Sequence, residues 1–207
     1  MPSTADLSAG GAPAHGVSVF VTPELPALLD RAWSMLETAV SDRHAPMRWL
    51  TVATGGADGP DARVMVLRGA DRSTGTLNFY SDRRAAKITA ILADPRVAII
   101  GYDPASRVQL RLRGRAAVST GGSSVDAAWA AIGETGRDAY RTDTAPGSPI
   151  ACTSDGWPAA GRSGRADFAV VTVTLTHIES LDLAATGHLR ASWQPAVDGW
   201  HGTWRTP

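Results

Sequence analysis

Three short segments put cationic and amide side chains where the pattern otherwise reads as β-strand. They are Arg63-Val64-Met65-Val66-Leu67-Arg68, Phe79-Tyr80-Ser81-Asp82-Arg83-Arg84-Ala85-Ala86-Lys87 and Gln109-Leu110-Arg111-Leu112-Arg113-Gly114. In the first, strand alternation groups Arg63, Met65 and Leu67 on one side and Val64, Val66 and Arg68 on the other, so an arginine stands at each end of an apolar middle. In the second, Ser81 or Asp82 is expected to cap a short helix. Its free N–H groups, flanked by Arg84 and Lys87 three residues apart on one face, would make an anion site. Arginine offers a planar fork to phosphate oxygens and lysine a point charge. In the third, Gln109 shares a face with Arg111 and Arg113, and its amide can both donate to and accept from the polar edge of a planar ring. Each segment also has a plainer reading: a charged edge strand, a solvated basic helix face, or the polar outer face of a barrel strand.

The elements that must carry these residues can be read along the chain. Residues 1 to about 20 are rich in Gly, Ala, Ser and Pro without periodicity and are expected to be a flexible arm. Thr22 as N-cap, Pro23 at the first position and Glu24 in the first turn predict a helix with Leu25, Leu28, Leu29, Ala32, Trp33, Leu36 and Val40 on its apolar face. Strands follow over 48–54, 62–67 and 76–80, separated by the turn clusters 55–60 and 71–75. A short helix with Ile88, Ile91 and Leu92 as its apolar face ends at Asp94-Pro95. Strands resume over 96–102 and 107–118. Ser124 is expected to cap a further helix carrying Val125, Ala128, Trp129 and Ile132 and ending at Gly133. The aperiodic stretch 141–166 is a long loop able to cover a site. Strands over 168–175, 177–183, 188–193 and 200–205 complete the pattern. About eight strands with three inserted helices, joined mostly by hairpin-length turns, predict a mainly β fold built on an antiparallel barrel. No Gly-x-Gly-x-x-Gly follows a strand, which argues against a Rossmann dinucleotide site.

Composition narrows the function classes. A chain of 207 residues suffices for one domain with mobile arms, here an arm over 1–20 and one domain over 21–207. Zero formal net charge gives no general attraction to nucleic acid or anionic membrane, so any anion must be met by local charge. The single Cys152, in a polar loop, suits a reducing compartment and reads as an incidental thiol. The first residues lack a basic region followed by an apolar one, and no apolar run is long enough to span a bilayer, so the expected location is cytoplasmic. His15, His44, His177 and His201 are scattered without ligand spacing, and no metal site is expected.

The order and spacing of Arg-x-x-x-Leu-Arg, Phe-Tyr-Ser-x-x-x-x-x-Lys and a strand glutamine five residues before glycine resemble the pyridoxamine 5′-phosphate oxidase family, and more closely its oxidase-related FMN-binding branch. The resemblance runs from Arg48 to Gly114 and returns at His188-Leu189-Arg190. It implies an FMN-binding split β-barrel and a homodimer with cofactor sites at the subunit interface. By that resemblance Arg63 and Lys87 hold the FMN phosphate, with Ser81 as a hydroxyl beside it and Tyr80 as its neighbour. Val64, Met65 and Val66 lie along the flavin through their backbone, Gln109 meets the ring, and Arg190 reaches the flavin from the second subunit. The oxidases carry Ser-Arg-Lys where this chain has Ala85-Ala86-Lys87, leaving Arg84 to substitute for a missing phosphate arginine. Arg68 and His188 match substrate-side positions, with His188 a candidate proton donor or acceptor. The oxidases' substrate-phosphate arginine falls at Thr135, its serine partner at Ala139 and another substrate arginine at Thr186. The expectation is an FMN-dependent oxidoreductase of a small molecule whose pyridoxamine phosphate clamp is largely lost. The rival readings are a non-catalytic flavin-binding dimer and a related split barrel that binds haem or a deazaflavin.

Overall fold

The structure, a computed structural model, describes residues 23–56, 59–183 and 187–207. The predicted N-terminal arm, and with it the expected cap Thr22, lies outside them. Helix α1 (Leu25–Ser41) starts two residues later than expected, with Glu24 as N-cap and Pro26 in the first turn. A proline lacking its N–H is tolerated there, where the donor has no helical acceptor. Leu28, Leu29, Ala32, Trp33, Leu36 and Ala39 are buried, while Leu25 and Val40 are only partly covered.

Eight strands follow: β1 (Trp49–Thr54), β2 (Asp61–Asp71), β3 (Thr76–Asp82), β4 (Arg96–Asp103), β5 (Val108–Ser119), β6 (Phe168–Asp182), β7 (Leu189–Ala196) and β8 (Gly199–Arg205). Helices α2 (Ala86–Ala93), α3 (Ser123–Ala131) and the single turn α4 (Glu134–Arg137) are inserted between them. The sheet runs β3-β2-β1-β4-β5-β6-β7-β8, and β6 also pairs back onto β3. Strands β3, β2, β1, β4, β5 and β6 therefore close into a six-stranded antiparallel barrel, from which β7 and β8 extend. Inward side chains alternate as strand geometry requires: Val108, Leu110 and Leu112 of β5 are at most 1 % exposed, whereas Arg111 and Arg113 point out.

The structure corrects several expected boundaries. The two strands expected over 168–175 and 177–183 are one strand, β6. The broken alternation near Thr176 marks a bulge, for His177 faces Arg113 and Leu175 faces Gly114. Ser81 and Asp82 do not cap a helix; they stay in β3 because they pair with Ala169 and Phe168 of β6, and α2 begins only at Ala86 after Ala85. Leu92 is 71 % exposed, since so short a helix seats only Ile88 and Ile91 on the barrel. Ser124 lies inside the first turn of α3, whose N-cap is Gly122 at φ 94°. The 141–166 stretch is irregular apart from short 3-10 turns.

Gly114, the glycine that ends the Gln109 motif, sits at the β6 bulge. A Cβ there would stand 2.4 Å from Thr174 O and 2.7 Å from Val173 Cγ1. Gly114→Ala is expected to lower stability by about 1–3 kcal/mol through overpacking, read from a shift in the urea midpoint.

Candidate functional site

On one edge β2 pairs with β1 from Asp61 to Val66, but on the other its ladder with β3 begins only at Leu67↔Phe79. Strand β3 pairs with β6 along its whole length, from Thr76 to Asp82, so Tyr80, Ser81 and Asp82 are bonded on that edge alone. Strands β2 and β3 thus part, leaving backbone N–H and C=O groups on facing edges without ladder partners. A cleft of about 410 Å³ opens between them. Its walls are Arg63, Val64, Met65, Val66 and Arg68 from β2, Tyr80, Ser81 and Asp82 from β3, Lys87 from α2, and Ala139, Tyr140 and Pro146 from the β5–β6 connection. Ligand clefts typically run to several hundred Å³. A larger cleft, between α1 and the β7–β8 hairpin, is lined by none of the candidate cofactor or substrate residues.

Arg63 is fixed at the cleft mouth. Its Nη1 donates to Val52 O (3.2 Å) and Thr54 Oγ1 (3.0 Å), and its Nη2 pairs with Asp61. Lys87 is half-buried. Burial, and then the charge of Arg63, pull its ammonium below the usual lysine range, against smaller opposing effects of Asp82 and Asp61. Ser81 is buried, and its Oγ donates to Asp82 O (3.1 Å). The Arg68 guanidinium lies over the Tyr80 ring, 5.4 Å from its centroid.

Tyr140, which the sequence reading did not single out, completes this wall. Its ring packs edge-on to Phe168 (5.2 Å) and Trp129 (5.7 Å). Its phenol is pushed up to about 12, chiefly by burial, so it is a neutral donor at physiological pH. The available signal was a lone aromatic at the edge of an otherwise small-residue loop.

Arg84 does not share a helix face with Lys87, since it precedes α2. Its guanidinium bonds both Asp82 oxygens (3.0 and 2.7 Å) and the carbonyls of Thr142 and Asp143 (3.0 and 3.1 Å). It ties the long loop to the end of β3, and through that loop Pro146 reaches the cleft. Thr135 lies in α4. The neighbouring Arg137 turns to Glu134 and over the Trp129 ring, whereas Ala139 lines the cleft. Thr186 lies outside the described residues.

Gln109, His188 and Arg190 do not line this cleft. Gln109 projects from the outer face of β5, and across the ladders it falls in one row with Leu181 of β6 and Arg190 of β7. His188 is exposed just before β7. The same outer face carries Val64 (59 % exposed), Trp49 (58 %), Ile100 (39 %) and Tyr102 (47 %) on β2, β1 and β4, between the cleft and the Gln109 row. Among the described residues no group of His, Cys, Asp and Glu could hold a metal ion, and no helix is long and apolar enough to cross a membrane.

Because Lys87 is charged at some cost in the folded state, Lys87→Met is expected to leave the unliganded protein at least as stable as wild type near neutral pH. The sign follows from linkage. A lowered folded pKa means that the unfolded chain holds the proton more tightly, so wild-type stability rises with pH towards the ordinary lysine value of 10.5. Melting curves at several alkaline pH values should show the variant's advantage shrinking over that window.

Residues 30–120 match the family model described as pyridoxamine 5′-phosphate oxidase, FMN-binding domain. A pyridoxine/pyridoxamine 5′-phosphate oxidase of Kineococcus radiotolerans is 42 % identical over 88 residues, covering 42 % of this chain and 37 % of that protein. One from Pseudomonas paraeruginosa is 33 % identical over 102 residues, covering 48 % and 46 %. The matches therefore span less than half the length of these curated relatives. The crystal structure of a pyridoxamine 5′-phosphate oxidase-related, FMN binding protein from Nostoc punctiforme superposes with a TM-score of 0.68 over 91 % of this chain and 100 % of that one. At 23 % identity that likeness establishes the split-barrel fold.

Proposed function

We propose, from the match of residues 30–120 to the pyridoxamine 5′-phosphate oxidase FMN-binding family, that the protein is an FMN-dependent oxidoreductase of a small molecule, working as a homodimer. The observation that carries this reading is the half-buried Lys87 held beside Arg63 in a cleft with open strand edges. Two cations held together in a ligand-sized cleft are best explained by an anion that binds both. Arg63 and Lys87 would hold the phosphate beside the Ser81 hydroxyl, with the backbone of Val64, Met65 and Val66 along the ring. Arg84 would contribute indirectly, by fastening the loop that closes the cleft. When bound, the flavin supplies hydride acceptance and onward electron transfer. The chain supplies the position, the counter-charge and a cleft narrowed by Tyr140 and Pro146.

The homodimer reading rests on the separation of the two groups of site residues. Gln109 and Arg190 lie away from the cleft of their own chain, across an outer face that exposes Val64, Trp49, Ile100 and Tyr102. A second copy docked on that face by a two-fold axis would cover the apolar patch and bring its Gln109 and Arg190 towards the first copy's cleft. Arg68 and His188 would then face the substrate. Pyridoxamine 5′-phosphate is disfavoured as that substrate. Among the described residues the cleft is lined by no cation beyond Arg63, Lys87 and Arg68, while Ala139 occupies a clamp position and Arg137 points elsewhere. No described histidine lines the cleft, which weighs against haem.

Purified protein is expected to show a flavin spectrum or to acquire one with added FMN. A colourless protein that takes up no FMN overturns the reading. Arg63→Ala and Lys87→Ala should each weaken FMN about tenfold or more, as expected for loss of one charge-assisted hydrogen bond. Flavin fluorescence titration measures this. Mixing Arg63→Ala with Arg190→Ala chains should restore one intact composite site per heterodimer. If mixing recovers no tight site, the shared-site arrangement is wrong. Oxidation of pyridoxamine 5′-phosphate in air should be negligible. A flavin that binds but reacts with no candidate amine, alcohol or reduced ring would favour the non-catalytic flavin-binding reading.

A further inference from the structure

The outer face beside Gln109 holds one buried carboxylate among several cations. Glu179 of β6 is 7 % exposed, although it points to the outer side of the sheet. Its Oε1 accepts from Arg111 Nη1 (3.1 Å) and from Arg190 Nη2 (3.0 Å). His177 Nε2 stands 3.9 Å from the other oxygen and has no hydrogen-bond partner among the described residues. Burial, and then the charge of Arg113, lower the His177 pKa against the opposing pull of Glu179, and Arg205 adds further positive charge close by. The carboxylate therefore binds two guanidinium groups at a single atom and still leaves positive charge in excess.

The cost of desolvating a buried carboxylate offsets much of what such pairs contribute to stability, and ordering two long arginines costs side-chain entropy. The arrangement has a clearer role in presenting the arginines already in place, which lowers the ordering cost of a later contact. Arg190 retains an unmet donor. Its Nε is buried and has no partner among the described residues.

We infer that Glu179 is a positioning residue: it fixes Arg190, and Arg111 beside it, as a preset guanidinium pair that the second copy's flavin meets when the dimer forms. This rests on the reading of Arg190 as the flavin-side arginine, and it adds the residue that aims Arg190.

The test is FMN titration of the full-length dimer carrying Glu179→Ala, Glu179→Gln, Arg190→Ala and the pairwise combinations. Sedimentation and melting temperature control for assembly and folding. Glu179→Ala and Arg190→Ala are each expected to weaken FMN about tenfold, and the double variant no further than Arg190→Ala alone, because coupled residues are non-additive. Glu179→Gln keeps an acceptor in place and should lose less. That smaller loss should vanish in the Arg190→Ala background, so the Gln variant decides the matter should the Ala variant fail to fold. A merely structural Glu179 would lower the melting temperature and weaken FMN equally in both backgrounds. Wild-type FMN affinity in the Glu179 variants, or losses that multiply, overturns the inference. If Arg63→Ala and Lys87→Ala still weaken FMN in that case, the flavin reading survives and only the role of Glu179 falls. A wild-type protein that binds no FMN overturns both.

Discussion

The barrel depends on β6 having three partners. Along one edge it pairs with β5 from Val170 to Asp182, and along the other it pairs first with β3 and then with β7. A closed sheet cannot add a further strand without giving up an edge, so the second half of β6 leaves the barrel to carry β7 and β8. The same arrangement draws the end of β3 away from β2. Strand pairing between them stops at Leu67↔Phe79, and the cleft begins there. The candidate site is thus a consequence of closure, lying where the barrel seam is left open. Backbone polar groups on parted edges are tolerated only where water or a ligand can satisfy them.

The charges around the seam divide by what neutralises them. Arg84 is bound by Asp82, with Asp167 close by, and Arg63 is paired with Asp61. Lys87 makes no ion pair among the described residues; burial lowers its pKa most, and the like charge of Arg63 comes next. Burial and repulsion both favour the neutral amine, so an arriving dianion relieves both penalties at once. This makes Lys87 the group whose state changes most on binding, although Arg84 stands closer to the residue that the family pattern lacks. Helix α2 serves this site less through its N-terminal dipole than by seating Ile88 and Ile91 on the barrel, which brings Lys87 to the seam.

Much of this was legible in the sequence, for identifiable reasons. Alternation of two-residue period marked β1, β4 and β5 to within a residue or so, because each is lined on one face by the core. The Arg63 segment, Tyr80, Ser81 and Lys87 converge because they sit on adjacent strands and on the helix immediately following. What could not be read depended on partners distant in sequence. Ser81 and Asp82 look like helix caps until Ala169 and Phe168 pair with them. The bulge at Thr176 looks like a strand end until Gly114 is placed opposite. Arg84 looks free until the loop at Thr142 folds over it, and Tyr140 acquires meaning only once that loop lies against Phe168. Glu179 reads as one more outward strand residue until Arg111 and Arg190 close over it from both sides.

Charge also separates the two halves of the proposed reaction site. A phosphate monoester brings close to two negative charges and three acceptor oxygens, and burying it requires comparable opposite charge and donors. Arg63 and Lys87 can serve one such group. For a second ligand the cleft wall offers Arg68, stacked on Tyr80, and Tyr140, which stays neutral because burial raises its pKa to about 12. One guanidinium and one phenol match a single anionic or carbonyl group on a flat molecule much better than a second phosphate, and Asp82 on the same wall further opposes dense negative charge. The aromatic packing of Tyr140 against Phe168 and Trp129 stiffens that wall, so it would select by shape. The phosphate seat proposed at Arg63 and Lys87 is tied to the barrel seam, whereas the Tyr140 wall belongs to a loop that can change without disturbing closure.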